Sequence, residues 1–390
     1  MHTHKSLVAL LGIVFLVFSC SSTPSKEDDF TEQSLSSDEF VSYKLTEGVP
    51  KLKWSDVIDE IEITRLEETE ASLLSYVRDV HPVGEKMVFV SGNESDVFVF
   101  SQTGELVTKF NRKGEGPEDY QNIQSLWLEG DTVSIYSRGM YIKRYSLAGE
   151  FISETKLNYD PGHALGFEGG YAFDMFFSAV DDSLFNNVVV QDKQLFDRKL
   201  LLPAERFTGF NIFTSNSTLA KYKSSFLYQR IMSDTVYMFA DSIMKPMIHF
   251  DLDQKWFWKG QDGGSNNGDI NEVFNSELFW NQTTKVSSEF AYVMAWSGTE
   301  GTRKFLVDRR INKIIEVQES VNDEDKYYIT VSHFTDDGLL GSIGSLDVAN
   351  LLNELSEEQW SFTEGTTLEE IESSENPVLV KVKFKESAEW

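Results

Sequence analysis

From Trp54 onward, unbroken apolar runs of four to eight residues alternate with short polar turn signals, the pattern of repeated β-strands rather than helices. Lys86-Met-Val-Phe-Val-Ser-Gly92 is one such run. Asp96-Val-Phe-Val-Phe-Ser-Gln-Thr-Gly-Glu-Leu-Val-Thr-Lys-Phe110 reads as two strands joined by a turn around Gln102, Thr103 and Gly104. It has an echo in Lys143-Arg-Tyr-Ser-Leu-Ala-Gly-Glu-Phe-Ile-Ser-Glu-Thr155. Phe100/Tyr145, Ser101/Ser146, Gly104/Gly149, Glu105/Glu150, Leu106/Phe151 and Val107/Ile152 align at a constant offset of 45 residues. Weaker echoes occupy 234–239 with 247–252, and 304–308 with 313–317. A strand-built repeat of about 45 residues is the period of a four-stranded propeller blade, and the chain has room for about six or seven.

The last fifty residues break this rhythm. Leu346, Ala349, Leu351, Leu352 and Leu355 predict an amphipathic helix over 346–359, and 367–373 predicts a further helical turn capped by Thr366 or Thr367. Asn376-Pro-Val-Leu-Val-Lys-Val-Lys-Phe384 then reads as a closing strand with Pro at its start, where a missing N–H costs least. A terminal strand entering the blade that begins the chain would close the ring and remove an open sheet edge.

The N-terminus follows different rules. His2, His4 and Lys5 precede the apolar run 7–18, which has the length of a signal-peptide core and is too short to span a bilayer. Cys20, the only cysteine in the chain, follows at once in Leu16-Val-Phe-Ser-Cys20. This context resembles a bacterial lipobox, which implies diacylglyceryl transfer to the thiol and cleavage before Cys20. Multiple acyl chains anchor stably where a single one does not. The expected organisation is a signal peptide over 1–19, a lipidated Cys20 with a flexible acidic tether over 20–45, and a β-propeller over 46–390. Ser21 resembles the outer-membrane default. The acidic stretch after Cys20 resembles export tags of surface lipoproteins and equally reads as a solvated linker, so the expected location is the outer membrane, lipid-anchored, with the periplasmic and the surface face both left open.

Charge narrows the partners. The chain carries 63 Asp+Glu against 35 Lys+Arg, a net charge of −28, and cleavage removes one lysine and no acid. Such a surface repels a phosphate backbone, so nucleic acid is excluded as a partner. One cysteine excludes a disulfide framework and any multi-thiolate metal site.

Four segments resemble the six-bladed β-propeller lipoproteins of Bacteroidetes. Asp56-Val-Ile-Asp-Glu-Ile-Glu-Ile-Thr-Arg-Leu-Glu-Glu-Thr69 is similar to their opening strand and Leu-Glu-Thr-type turn. Lys113-Gly-Glu-Gly-Pro-Glu-Asp-Tyr120 is similar to their glycine-rich loop, with Glu118 and Asp119 in the places of its last Gly and Glu. Ser233-Asp-Thr-Val-Tyr237 resembles a mid-chain hairpin entry, and Glu375-Asn-Pro-Val-Leu379 the closing strand. The resemblance implies an all-β fold, a single six-bladed propeller of four-stranded antiparallel blades with a short helical insertion before the closing strand. It implies no particular activity.

Local catalytic motifs are absent from the sequence. His81, His163, His249 and His333 are far apart and form no zinc motif, and there is no Gly-x-Ser-x-Gly elbow. The candidates are therefore binding residues. Arg112 and Lys113 form a rare basic spot beside the glycine-rich loop, and Tyr120 could supply a stacking face. Trp256, Trp258, Trp280 and Trp296 cluster around a second glycine-rich loop, and indoles stack on the C–H faces of sugars. Packing between blades is the weightier reading of these tryptophans, with Trp258, which abuts the loop, the expected exception. Asp262, Asn266 and Asp269 in that loop offer hard oxygen ligands, so calcium is the one cofactor the sequence leaves room for. The expected function is a membrane-anchored binding module for a glycan, a peptide or an envelope protein. The alternative is a metal-dependent propeller hydrolase or lyase with its site in the central channel.

Overall fold

A strand that is apolar at every position must be covered on both faces, and these runs become the middle strands of stacked sheets. The computed structural model describes residues 38–390 apart from 92–94, 138, 177, 182–183, 205–216, 260–269 and 319–325. Six mainly antiparallel sheets, the blades of a propeller, are arranged around a channel. Blade 1 consists of Arg78–Val83, Lys86–Ser91, Asp96–Ser101 and Leu106–Phe110 from channel to rim. Its middle strands are buried almost throughout, and Phe89, Phe98 and Phe100 stack between them at 5.5–6.2 Å. At the rim of blade 2, Phe151–Lys156 has only one covered face, and half-buried and exposed positions alternate.

The inner strands of the other five blades are Ser125–Glu129, His163–Phe167, Leu219–Tyr222, Phe279–Val286 and Thr330–Phe334. Blades 1 and 2 have four strands; blades 3 to 6 have five. The extra strand of blade 3 is a short one, Ala179–Asp181. Those of blades 4 and 5 come from the start of the described chain, with Val41–Lys44 parallel to Ile243–Asp251 and Lys51–Lys53 parallel to Lys313–Gln318. The propeller therefore begins inside the segment expected to be tether. Tyr43 and Leu45 are buried, Tyr43 stacks on Phe250 at 5.9 Å, and the Leu45 N–H donates to Asp251 O at 2.9 Å. Three alternating apolar positions among Ser, Glu and Lys are too few to stand out in the sequence.

Blade 6 is built from both ends of the chain. Val378–Phe384 pairs with Gly338–Ile343 on one side and with Ile58–Thr64 on the other, and Trp360–Phe362 adds a parallel rim strand. The insertion holds two short helices, Val348–Leu352 and Leu368–Glu372. The first is shorter than its periodicity predicts. Leu346 is left exposed, and a 3-10 turn, Ser345–Asp347, precedes the helix. The second is capped by Thr367, whose hydroxyl accepts from the Glu370 N–H while the Glu370 carboxylate accepts from the Thr367 N–H.

One asparagine seals the ring. Asn376 is buried, its Oδ1 accepts from the Leu74 N–H at 2.7 Å, and its Nδ2 donates to Glu67 O and Ser72 O at 3.0 and 2.9 Å. Glu68 accepts from the Ser374 hydroxyl and the Glu375 N–H, which hold its carboxyl below the usual range. The opening turn and the closing strand, 300 residues apart in sequence, are thus one structural unit.

The 45-residue echo is equally concrete. Both hairpins carry a register shift at the same place, Val99/Phe100 and Arg144/Tyr145. Both turns place glycine at positive φ, +86° for Gly104 and +79° for Gly149. A Cβ on Gly104 would lie 1.9 Å from the Arg65 carbonyl oxygen. Gly104→Ala is expected to destabilise the fold by about 2 kcal/mol or more, from backbone strain and this clash. Urea unfolding of the variant beside wild type measures it.

Candidate functional site

The inner strands converge on a cavity of about 510 Å3, walled by residues from all six blades. A neighbouring cavity of about 340 Å3 shares the walls Asp79, Ser217, Ala220, Thr284, Lys285 and Val286 and extends along blade 5 toward blades 4 and 6. Both volumes fall in the size range of small-ligand sites.

Much of the larger cavity is apolar, lined by Val80, Pro82, Leu126, Trp127, Val286 and Phe334. Its ionisable groups are unusual for this chain. Among the described residues the basic and acidic ones are Lys221, Lys223, Lys285, His81 and His333 against one acid, Asp79. Asp79 enters the channel because the inner strand of blade 1 slips register between Arg78 and His81, with Asp79 at φ +49°. Such bulges re-aim a side chain out of the ladder. Asp79 Oδ1 accepts from Lys285 Nζ of blade 5 at 2.7 Å. Lys221 Nζ donates to Leu128 O at 2.7 Å, and Lys223 Nζ to Asp38 at 2.8 Å.

The two histidines respond to this field. The His81 pKa is pushed down to about 4, chiefly by burial, with Asp79 opposing and His333, Lys285 and Lys221 adding to the fall. Burial, then Lys285, also lowers His333, which bonds to the Val80 backbone. Both rings are therefore neutral near pH 7. In the adjoining cavity, Gln282 Oε1 and Thr283 Oγ1 are buried with no hydrogen-bond partner among the described residues. Buried polar atoms are rarely left so, and each is a place where a ligand group could bond.

The residues singled out in the sequence lie elsewhere. Tyr120 is fully buried, so it offers no stacking face; its hydroxyl accepts from the Arg112 N–H at 3.1 Å and donates to Ser95 O at 2.6 Å. The Arg112 guanidinium donates to Gly149 O, and the exposed Lys113 pairs its backbone with Tyr120. In this loop Asp119 folds back so closely that a Cβ on Gly114 would meet its carboxylate at 2.3 Å. The glycine-rich loop is a packed connector between blades 1 and 2.

Trp256 and Trp258 are buried but edge an outer cleft of about 620 Å3 by blade 4. The Trp258 indole N–H donates to Trp280 O at 2.7 Å, and Trp280 packs edge-on against Phe274. Trp296 is half-buried within blade 5. The structure therefore does not bring the four indoles together as one exposed platform. Cys20, Asp262, Asn266 and Asp269 lie outside the described residues.

Of the remaining histidines, buried His163 lies 3.7 Å from Asp174. His249 sits between Ser42 Oγ at 2.9 Å and Asp234 at 3.3 Å, tying the first described strand to blade 4. Among the described residues no three His, Cys, Asp or Glu side chains are placed to hold a metal ion. The sequence allows a site in the channel but names none of its residues, because blades 1, 4, 5 and 6 each contribute only one or two charged or imidazole side chains and blades 2 and 3 none among the described residues. The only local signal is a charged or imidazole side chain interrupting a short inner strand.

The family model described as "Domain of unknown function (DUF4934)" matches residues 41–383. An exported protein of Bacteroides fragilis has a similar solved structure, with a TM-score of 0.67 at 15% identity over 89% of this chain and 100% of that one. A member of the DUF4221 family from Bacteroides vulgatus gives 0.45 at 14% identity over 85% and 99%. No curated protein matches.

Proposed function

This chain belongs to the DUF4934 family, and from that premise we propose that it is a lipid-anchored module of the cell envelope that holds a small ligand in its central channel. The carrying observation is the cavity of about 510 Å3 to which all six blades contribute, apolar over much of its wall and polar at a few points. The exported neighbour in Bacteroides supports an envelope location, and the lipobox-like context of Cys20 supports anchoring. The arrangement favours binding over metal-assisted chemistry. Lysines line the channel, and its one acid among the described residues is engaged by Lys285. Metal-assisted hydrolysis needs several ligands on one ion. A glycan or peptide could still engage the loops and the outer cleft beside Trp256 and Trp258.

Ala220 tests the channel directly, because it is a small exposed side chain on the wall of both cavities. Ala220→Trp is expected to abolish small-molecule retention, read by native mass spectrometry of protein extracted from membranes, with the thermal midpoint unchanged. In parallel, Cys20→Ala should lose palmitate labelling and leave the membrane fraction. Equal retention by Ala220→Trp and wild type would remove the channel from the proposal.

A further inference from the structure

Resting on the channel as the binding site, we infer that it selects ligands bearing a compact negative group, carboxylate or phosphate, seated among His81, Lys221, Lys285 and His333 with an apolar body along the wall. The first support is an inversion of charge. The chain has 63 acids to 35 bases, yet the described channel wall has three lysines and two histidines to one aspartate. A chain this acidic would be expected to line its channel with carboxylates. Clefts lined by one sign of charge raise the local concentration of the opposite one.

The second support is convergence. His81 of blade 1 lies within electrostatic reach of Lys221 from blade 4, Lys285 from blade 5 and His333 from blade 6, with Asp79 the opposing charge. The charge of Asp79 is met by Lys285. Among the described residues Lys221 donates to a carbonyl, Leu128 O, with Glu129 the acid that acts on it from outside the cavity wall. An anion placed among these groups gains charge-assisted bonds from fixed donors, which are the strong class. Val80, Pro82, Leu126, Trp127, Val286 and Phe334 would cover an aliphatic or aromatic body.

Binding and protonation are then linked. Both histidines are held neutral by burial and the neighbouring lysine, and an adjacent anion favours the imidazolium. An anionic ligand therefore takes up protons on binding and is held more tightly as pH falls through the slightly acidic range. A neutral ligand of the same shape shows neither effect.

Benzoate, phenylphosphate, benzamide and benzylamine are matched probes for the detergent-purified full chain. Titration calorimetry in two buffers of different ionisation enthalpy gives affinity and proton uptake, and the His81 and His333 ring protons are followed by NMR. Benzoate or phenylphosphate is expected to bind at least about tenfold more tightly than benzamide, with proton uptake; the better of the two identifies the group. Lys221→Gln, a change at an exposed side chain, should weaken that binding by about tenfold, the size of one charge-assisted bond. Equal affinity for benzamide or benzylamine, anion binding insensitive to Lys221 and pH, or no response of either histidine to millimolar anion would each overturn the inference. A neutral ligand retained by wild type and lost in Ala220→Trp would overturn it while leaving the channel reading intact.

Discussion

Asn376→Leu is expected to lower the stability of the propeller by about 4 kcal/mol. Leucine keeps the branched outline and heavy-atom count of asparagine and removes its polar atoms, so the effect reads mainly the lost hydrogen bonds. The substitution strands the Leu74 N–H and the Glu67 and Ser72 carbonyls in the interior. An unmade bond at a buried polar group costs about 1–3 kcal/mol, and three such groups share this side chain. The position amplifies the loss, because the segment following Asn376 carries the strand that joins both chain ends in blade 6. Chemical denaturation of wild type and variant measures it. A loss below about 1 kcal/mol would show that strand pairing alone closes the ring. Asn376→Asp should also destabilise, because a carboxylate cannot donate to the two carbonyls.

The second large effect is on acid stability. The His81 pKa falls from 6.5 to about 4 on folding. An unfolded chain therefore binds a proton at His81 before the folded one does, and stability drops as pH falls below about 6.5. The drop ends near pH 4, once the folded state is protonated too. At about 1.4 kcal/mol per pH unit of difference, His81 alone removes about 2 kcal/mol between about pH 7 and pH 5. Partial solvent contact of the ring keeps the loss below the full span of the shift. His333 adds in the same direction.

His249 behaves oppositely. Its bond to Asp234 raises its pKa, so its contribution is fully present below 6.5 and is lost only as pH rises through the raised value. Asp234 and Asp308 have lowered pKa values, so their contributions begin to fail only below the ordinary carboxylate range. The window from about pH 6.5 to pH 4 thus belongs to the channel histidines. Denaturation midpoints across it should fall less steeply for His81→Gln than for wild type. Parallel slopes would place the acid sensitivity elsewhere.

The fold was legible because its rules are local or periodic. Apolar runs such as 86–91 predicted buried strands, and the aligned pair Gly104 and Gly149 marked equivalent turns whose positive φ the structure shares. Glu67, Glu68 and Asn376 lay within the segments that suggested the family, and they join the two ends of the ring. Their hydrogen bonds explain why those short strings belong together. Local pattern failed at Val41–Lys44, where an edge strand held mostly by its partner carries little signal of its own.

The candidate site divides along the same line. Composition and the N-terminal residues determined by themselves the acidic charge, the lipobox-like Cys20 and the absence of a local catalytic motif. Tyr120 and the tryptophans were conspicuous because they cluster in sequence, yet Tyr120, Trp256 and Trp258 proved to be buried. Only the tertiary structure could bring Asp79, His81, Lys221, Lys285 and His333 to one cavity, because a closed ring gathers residues from strands far apart in sequence. Their chemistry depends on that gathering. A lysine on an isolated strand is a solvated charge, whereas Lys221, Lys285 and His333 gathered around the buried His81 help burial to depress its pKa.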